Sequence, residues 1–149
     1  MGDNSVETIC ALATPPGRSA IAVIRISGNK ASEVPGLFSV SCPAAGNFSV
    51  CRLRHCGNVL DQGIILFMNG PHSSTGEDVC EIHCHGSQAV IDLVMEVLLT
   101  TRGFRMAYPG EFTRRSFLNG KMDLSGVEGL VDLIDAETPA QLYQAWAQI

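Results

Sequence analysis

The segment DVCEIHCHG (78–86) constrains the fold more than any other stretch of the chain. Successive side chains of an extended strand point to opposite faces of a sheet. Cys80, Ile82 and Cys84 then share one face, while Glu81, His83 and His85 share the other. Such a strand needs a sheet with one face packed on a core and the other left polar. The polar set lies at the end of a strand that runs straight into a helical pattern, a common place for ligand sites in mixed folds. Zinc is a competing use of the two histidines and two cysteines. Alternation turns the cysteines away from the histidines, and the spacing matches no familiar structural zinc pattern. The reading is therefore that no metal binds here. A core strand that simply exposes polar residues on its far face is the plain alternative.

The rest of the sequence supplies partners for this strand. Short apolar runs punctuated by Gly and Pro predict further strands at 8–13, 20–26, 48–53, 63–68 and 104–108. Val90, Ile91, Val94, Met95, Val97 and Leu98 recur at helical spacing between Ser87, a potential N-cap, and Gly103. A shorter helix is predicted from about 110 to 118, entered through Pro109 and closed by Gly120. These elements make an α+β fold with a mixed β-sheet and packed helices. No element is predicted between 30 and 47.

Beyond Lys121 the character changes to helix. Ser125 and Glu128 have capping-box spacing, with Val127, Leu130, Val131 and Ile134 on one face. Thr138 and Pro139 restart a helix whose apolar stripe, Leu142, Trp146 and Ile149, runs into the last residue. A stripe without a partner suggests a fragment of a longer protein, or an end that packs in an oligomer.

Composition narrows the function classes. The 149 residues carry a net charge of −5, which does not suit a broad basic field for a phosphate backbone. The start, MGDNSVETIC, lacks a basic and then apolar leader pattern, so the six cysteines are read as cytoplasmic thiols. No apolar run approaches the roughly 20 residues that span a bilayer. The chain contains no phosphate-binding G-x-x-x-x-G-K-[ST] loop, no G-x-S-x-G and no C-x-x-C. No catalytic residue is assigned.

Two positions stand out against their surroundings. Arg25 interrupts the apolar run AIAVIRIS, and a buried guanidinium is costly unless paired. It calls for a carboxylate, an anionic ligand or a route to solvent, and the sequence leaves these open. In YPGEFTRRSFLNGK (108–121) the plain reading is an amphipathic helix with a solvated charged face. The functional alternative is that Gly120 ends the helix and aims Lys121 towards a pocket. Glu128, Asp132 and Asp135 fit a solvated helix face.

Four segments, ATPPGRSAIAVIRISG (13–28), GPHSSTGEDVCEIHCHG (70–86), PGEFTRRSFLNGKMDL (109–124) and VEGLVDLIDAET (127–138), resemble in order and spacing the N-terminal region of the MnmE (TrmE) family of tRNA modification GTPases. The resemblance implies a folate-binding and dimerising α+β domain over 1–121, then the start of a helical domain over 122–149. The GTPase domain would lie elsewhere, and with it GTP, Mg2+ and K+. It also implies a homodimer, a tetrahydrofolate derivative (5-formyl- or 5,10-methylene-) as cofactor, the MnmG (GidA) flavoprotein as partner and tRNA as substrate. The product would be a 5-carboxymethylaminomethyl-type group on the wobble uridine. The family's folate contacts fall on Arg25, Glu81 and Lys121. Ser74 stands where the family usually has Phe, and Ser87 where it usually has a second Gly. A folate-dependent aminomethyltransferase and a purely structural dimerisation domain are the competing readings.

Overall fold

The computed structural model describes residues 7–149. The MGDNSV stretch that enters the leader argument lies outside the described residues. Six strands form a single sheet: β1 (Thr8–Leu12), β2 (Ser19–Ser27), β3 (Asn47–His55), β4 (Asn58–Met68), β5 (Val79–Gly86) and β6 (Phe104–Met106). Their order is β3-β4-β5-β2-β1-β6, and the sheet is mixed because β6 joins β1 in parallel while every other pair is antiparallel. The helices are α1 (Val34–Leu37), α2 (Gln88–Leu99), α3 (Glu111–Leu118), α4 (Leu124–Asp135) and α5 (Pro139–Trp146). The α+β class predicted from the sequence is the one observed.

The alternation in 78–86 sets the layering. Cys80, Ile82 and Cys84 are buried in one core with Ile24 and Ile26 of β2, Ile65 and Phe67 of β4, and Ile91, Val94 and Leu98 of α2. This face packs the main hydrophobic core, because removing such side chains from water drives folding at roughly 25 cal/mol per Å². The segment from 30 to 47, where no element is predicted, contributes to the core. A 3-10 turn at Ala31–Glu33 leads into α1, and Val34 and Phe38 are fully buried in the same core. These few apolar residues are too short a run to show a helical period, so the sequence hid them.

Boundaries moved where turns decide them. β4 begins at Asn58, five residues before the predicted start, because a two-residue turn at Cys56 and Gly57 lets β3 and β4 zip up to the hairpin tip. The N-cap of α4 is Asp123, not Ser125: its Oδ1 accepts the Gly126 N–H at 2.7 Å, which leaves Ser125 inside the helix. Both residue types cap well, and the carboxylate two positions upstream takes the orphan donor first. At α5 the prediction holds, with Thr138 and Gln141 closing a reciprocal capping box. Ser87 is the N-cap of α2 by position, although its side chain caps nothing.

Gly28 shows why glycine follows β2. Its φ is +141°, and a Cβ there would lie 2.6 Å from the Thr8 Cα. The close approach lets Thr8 Oγ1 accept the Lys30 N–H at 2.9 Å, tying the chain after β2 back to β1. α4 and α5 pack chiefly on each other, and Val131, Ile134, Tyr143 and Trp146 remain exposed.

Candidate functional site

The open face of the sheet carries the polar set. In the β2–β5 register Arg25 stands directly opposite Glu81, so the two side chains project side by side from adjacent strands. The Arg25 Nε donates to Glu81 Oε2 at 2.7 Å, answering what the odd arginine in an apolar strand pairs with. Two positions along β5, the His83 Nε2 lies 3.0 Å from the other oxygen, Glu81 Oε1. Glu81 is the most enclosed of the three, its side chain 13% exposed against 34% for Arg25 and 31% for His83.

This row lies between two clefts. On one side a cavity of about 390 Å³ is lined by Arg25, Ala11, Tyr108, Pro109, Phe112 and Thr113. Phe112 of α3 sets its ring 6.0 Å from the Arg25 guanidinium carbon, within reach of a cation–π contact. On the other side a cavity of about 510 Å³ is lined mainly by apolar groups, including Phe48, Ile64, Leu66 and Met68, with His72 and His83 at its edge. Burial by itself raises the Glu81 pKa. The hydrogen bonds from His83 and Arg25 and the Arg25 charge outweigh it, so the carboxyl titrates below its usual range.

Lys121 is placed differently. Gly120, at φ +72°, ends α3 and turns the chain, and the Lys121 Nζ donates to the Pro71 carbonyl at 3.0 Å. The lysine thus reaches back to the loop that precedes β5, whereas Arg25 and Glu81 touch each other. Ser74, at the first departure from the family pattern, is exposed, and its carbonyl accepts the Ser116 hydroxyl at 2.6 Å.

A second ionic cluster lies under α3, and the sequence reading missed it. Arg115 is only 6% exposed, although its helix was read as having a solvated charged face. Its Nη1 donates to Glu77 Oε1 at 2.9 Å, and its Nη2 donates to Glu111 Oε2 at 3.3 Å. Glu77 also accepts the Ser27 hydroxyl at 2.8 Å, and Glu111 is held bidentately by Arg105 at 2.8 and 2.6 Å. The Arg105 hydrogen bonds, outweighing burial, pull the Glu111 pKa down to about 2. The signal was available in principle, since the carboxylates of TGED and the arginines of GEFTRR are of opposite charge, but nothing local says that they meet. His85 belongs to neither cluster. It is bound by Asp61 through both its backbone N–H and its Nδ1 at 2.8 Å.

The family model described as GTP-binding protein TrmE N-terminus matches residues 8–121, three quarters of the chain, and includes Arg25, Glu81 and Lys121. The chain belongs to the TrmE N-terminus family. Relatives agree with that. It is 48% identical over 144 residues to the tRNA modification GTPase MnmE of Anaplasma marginale (strain St. Maries), covering 95% of this chain and 32% of that protein. It is 51% identical over 146 residues to the protein of the same name from Granulibacter bethesdensis, covering 97% of this chain and 33% of that one. This TrmE N-terminus chain therefore spans about a third of the length of the curated relatives it matches.

Proposed function

We propose that this chain is the folate-binding and dimerising module of a tRNA modification GTPase. The observation that carries the reading is the Arg25–Glu81 pair, set in register between two clefts on the open face of the sheet. The donor chemistry fits a reduced pterin. Its N3 hydrogen and 2-amino group present two parallel donors, and an ionised carboxylate has about four lone-pair sites, of which Arg25 and His83 use two. Arg25 and Lys121 supply cations for carbonyl oxygens or for the anionic glutamate tail. The tetrahydrofolate, as its 5-formyl or 5,10-methylene derivative, supplies the one-carbon unit. The relatives' shared name supports GTP hydrolysis and tRNA modification as the activity of the longer protein, and the 149 residues contain no phosphate-binding loop for the first of these.

The same reading makes the chain a homodimer. Ile21, Phe48 and Val50 are 61%, 66% and 64% exposed, and the register sets them on the same sheet face as Glu81. A second copy is the occupant proposed for that face. Residues 1–121 form the folate domain and 122–149 the opening of a helical domain, a division supported by the family match ending at Lys121 and by the way α4 and α5 pack chiefly on each other. The flavoprotein MnmG and tRNA are proposed partners of the longer protein, and the wobble-uridine modification its product. The reading places the protein in the cytoplasm. Among the described residues no helix is long and apolar enough to cross a membrane.

Calorimetric titration with 5-formyltetrahydrofolate tests the cofactor reading. Ligand at about 100 times its dissociation constant should stabilise the fold by roughly 2.7 kcal/mol. A chain that dimerises in light scattering yet gains no stability from folate would favour the purely structural reading.

A further inference from the structure

We infer that His83 is a positioning residue for the folate site, acting through Glu81; this rests on the folate reading of that site. The Glu81–Arg25 contact runs through a single nitrogen, Nε, to a single oxygen, Oε2. One hydrogen bond leaves a carboxylate free to rotate, because the terminal torsion of Glu is broad. The His83 Nε2, 3.0 Å from Oε1, is the second point that fixes its plane. Ionised carboxylate oxygens only accept, so the proton of this contact is on Nε2. The cross-strand neighbours of His83 are Val23 and Ile64, both apolar, and its hydrogen bond runs along its own strand to Glu81.

The geometry has a consequence for binding. Arg25 and His83 engage one oxygen each, which leaves a lone pair on each oxygen for a ligand edge that carries two donors. A carboxylate already held in that orientation binds without the cost of being ordered by the ligand. Removing His83 leaves the carboxylate and its charge in place but releases its plane.

The test is a series at one position, titrated calorimetrically with 5-formyltetrahydrofolate and checked for folding by thermal melting. His83→Leu has no donor, His83→Asn has a donor too short to reach Glu81, and His83→Gln places a donor close to the original Nε2. The Leu and Asn variants should bind about tenfold more weakly, as expected for losing one hydrogen bond to a charged group, and the Gln variant should stay within about threefold of the parent. Leu binding as tightly as the parent, or Gln binding as weakly as Asn, would overturn the inference. If the Leu variant does not fold, the contrast between Gln and Asn decides. A parent chain without folate affinity overturns the site reading together with this inference, whereas affinity lost in Glu81→Ala and untouched by every His83 variant overturns this inference alone.

Discussion

Two carboxylate–guanidinium pairs sit on the same sheet face and differ in how much of them is finished. Glu77 and Arg115 are sealed under α3, 15% and 7% exposed, with Ser27 and Glu111 joining them. Glu81 is as enclosed as Glu77, at 13%, but its partner Arg25 is 34% exposed and a cleft lies on either side of the row. The sealed pair uses its hydrogen-bonding capacity on the protein itself and holds α3 against the sheet. The open pair keeps capacity in reserve. Buried pairs that are complete serve structure, while an enclosed carboxylate with unspent lone pairs, a partly solvated partner and a cavity beside it has the properties of a binding group.

The comparison breaks most readily at Arg115. Arg115→Ala leaves Glu77 charged and enclosed, and chemical denaturation should show a loss of about 3–5 kcal/mol, the usual cost of removing one partner of a buried pair. Because α3 also carries Phe112, folate affinity should fall along with stability. Glu81→Ala is expected to separate the two effects. Its loss should weaken 5-formyltetrahydrofolate binding by about 100-fold in calorimetry, the scale of two charged hydrogen bonds. Its effect on the unfolding free energy should stay within about 1 kcal/mol, since the charge left without a partner, Arg25, is 34% exposed to solvent.

Acid probes the sealed cluster more gently. The Glu111 pKa is depressed to about 2 from an ordinary value of 4.5, so its contribution to stability is present above pH 4.5 and is lost as pH falls towards 2. Urea unfolding midpoints measured down this range should fall, and less steeply in Glu111→Gln. Lys121→Ala should have the smallest effect. The side chain is exposed and rests on the Pro71 carbonyl, so melting should not change, while folate binding should weaken only about fivefold.

Legibility followed the range of the interaction. The alternation in DVCEIHCHG placed three residues in the core and three on the open face, and the structure agrees at each position, because a two-residue period is a property of the strand itself. The isolated charge in AIAVIRIS announced that Arg25 needed a partner. Its identity, Glu81, depends on a register between strands 56 residues apart in sequence, which no local pattern encodes. Arg115 was misread for the same reason. On a helix taken alone it sits among other charges, and it became buried only because the TGED loop brought Glu77 to meet it.

The sequence by itself determined the six strands, the helices α2 to α5, the side of the sheet that packs, and through its motifs the TrmE N-terminus family. These rest on short-range periodicity and on the order of residue types along the chain. Tertiary structure alone decided which charges complete one another: Arg25 with Glu81 and His83, Arg115 with Glu77 and Glu111, and His85 with Asp61. The physical reason is that a charge is stabilised by whatever lies within a few ångströms, and in a mixed sheet closed by a helix those neighbours come from distant parts of the chain.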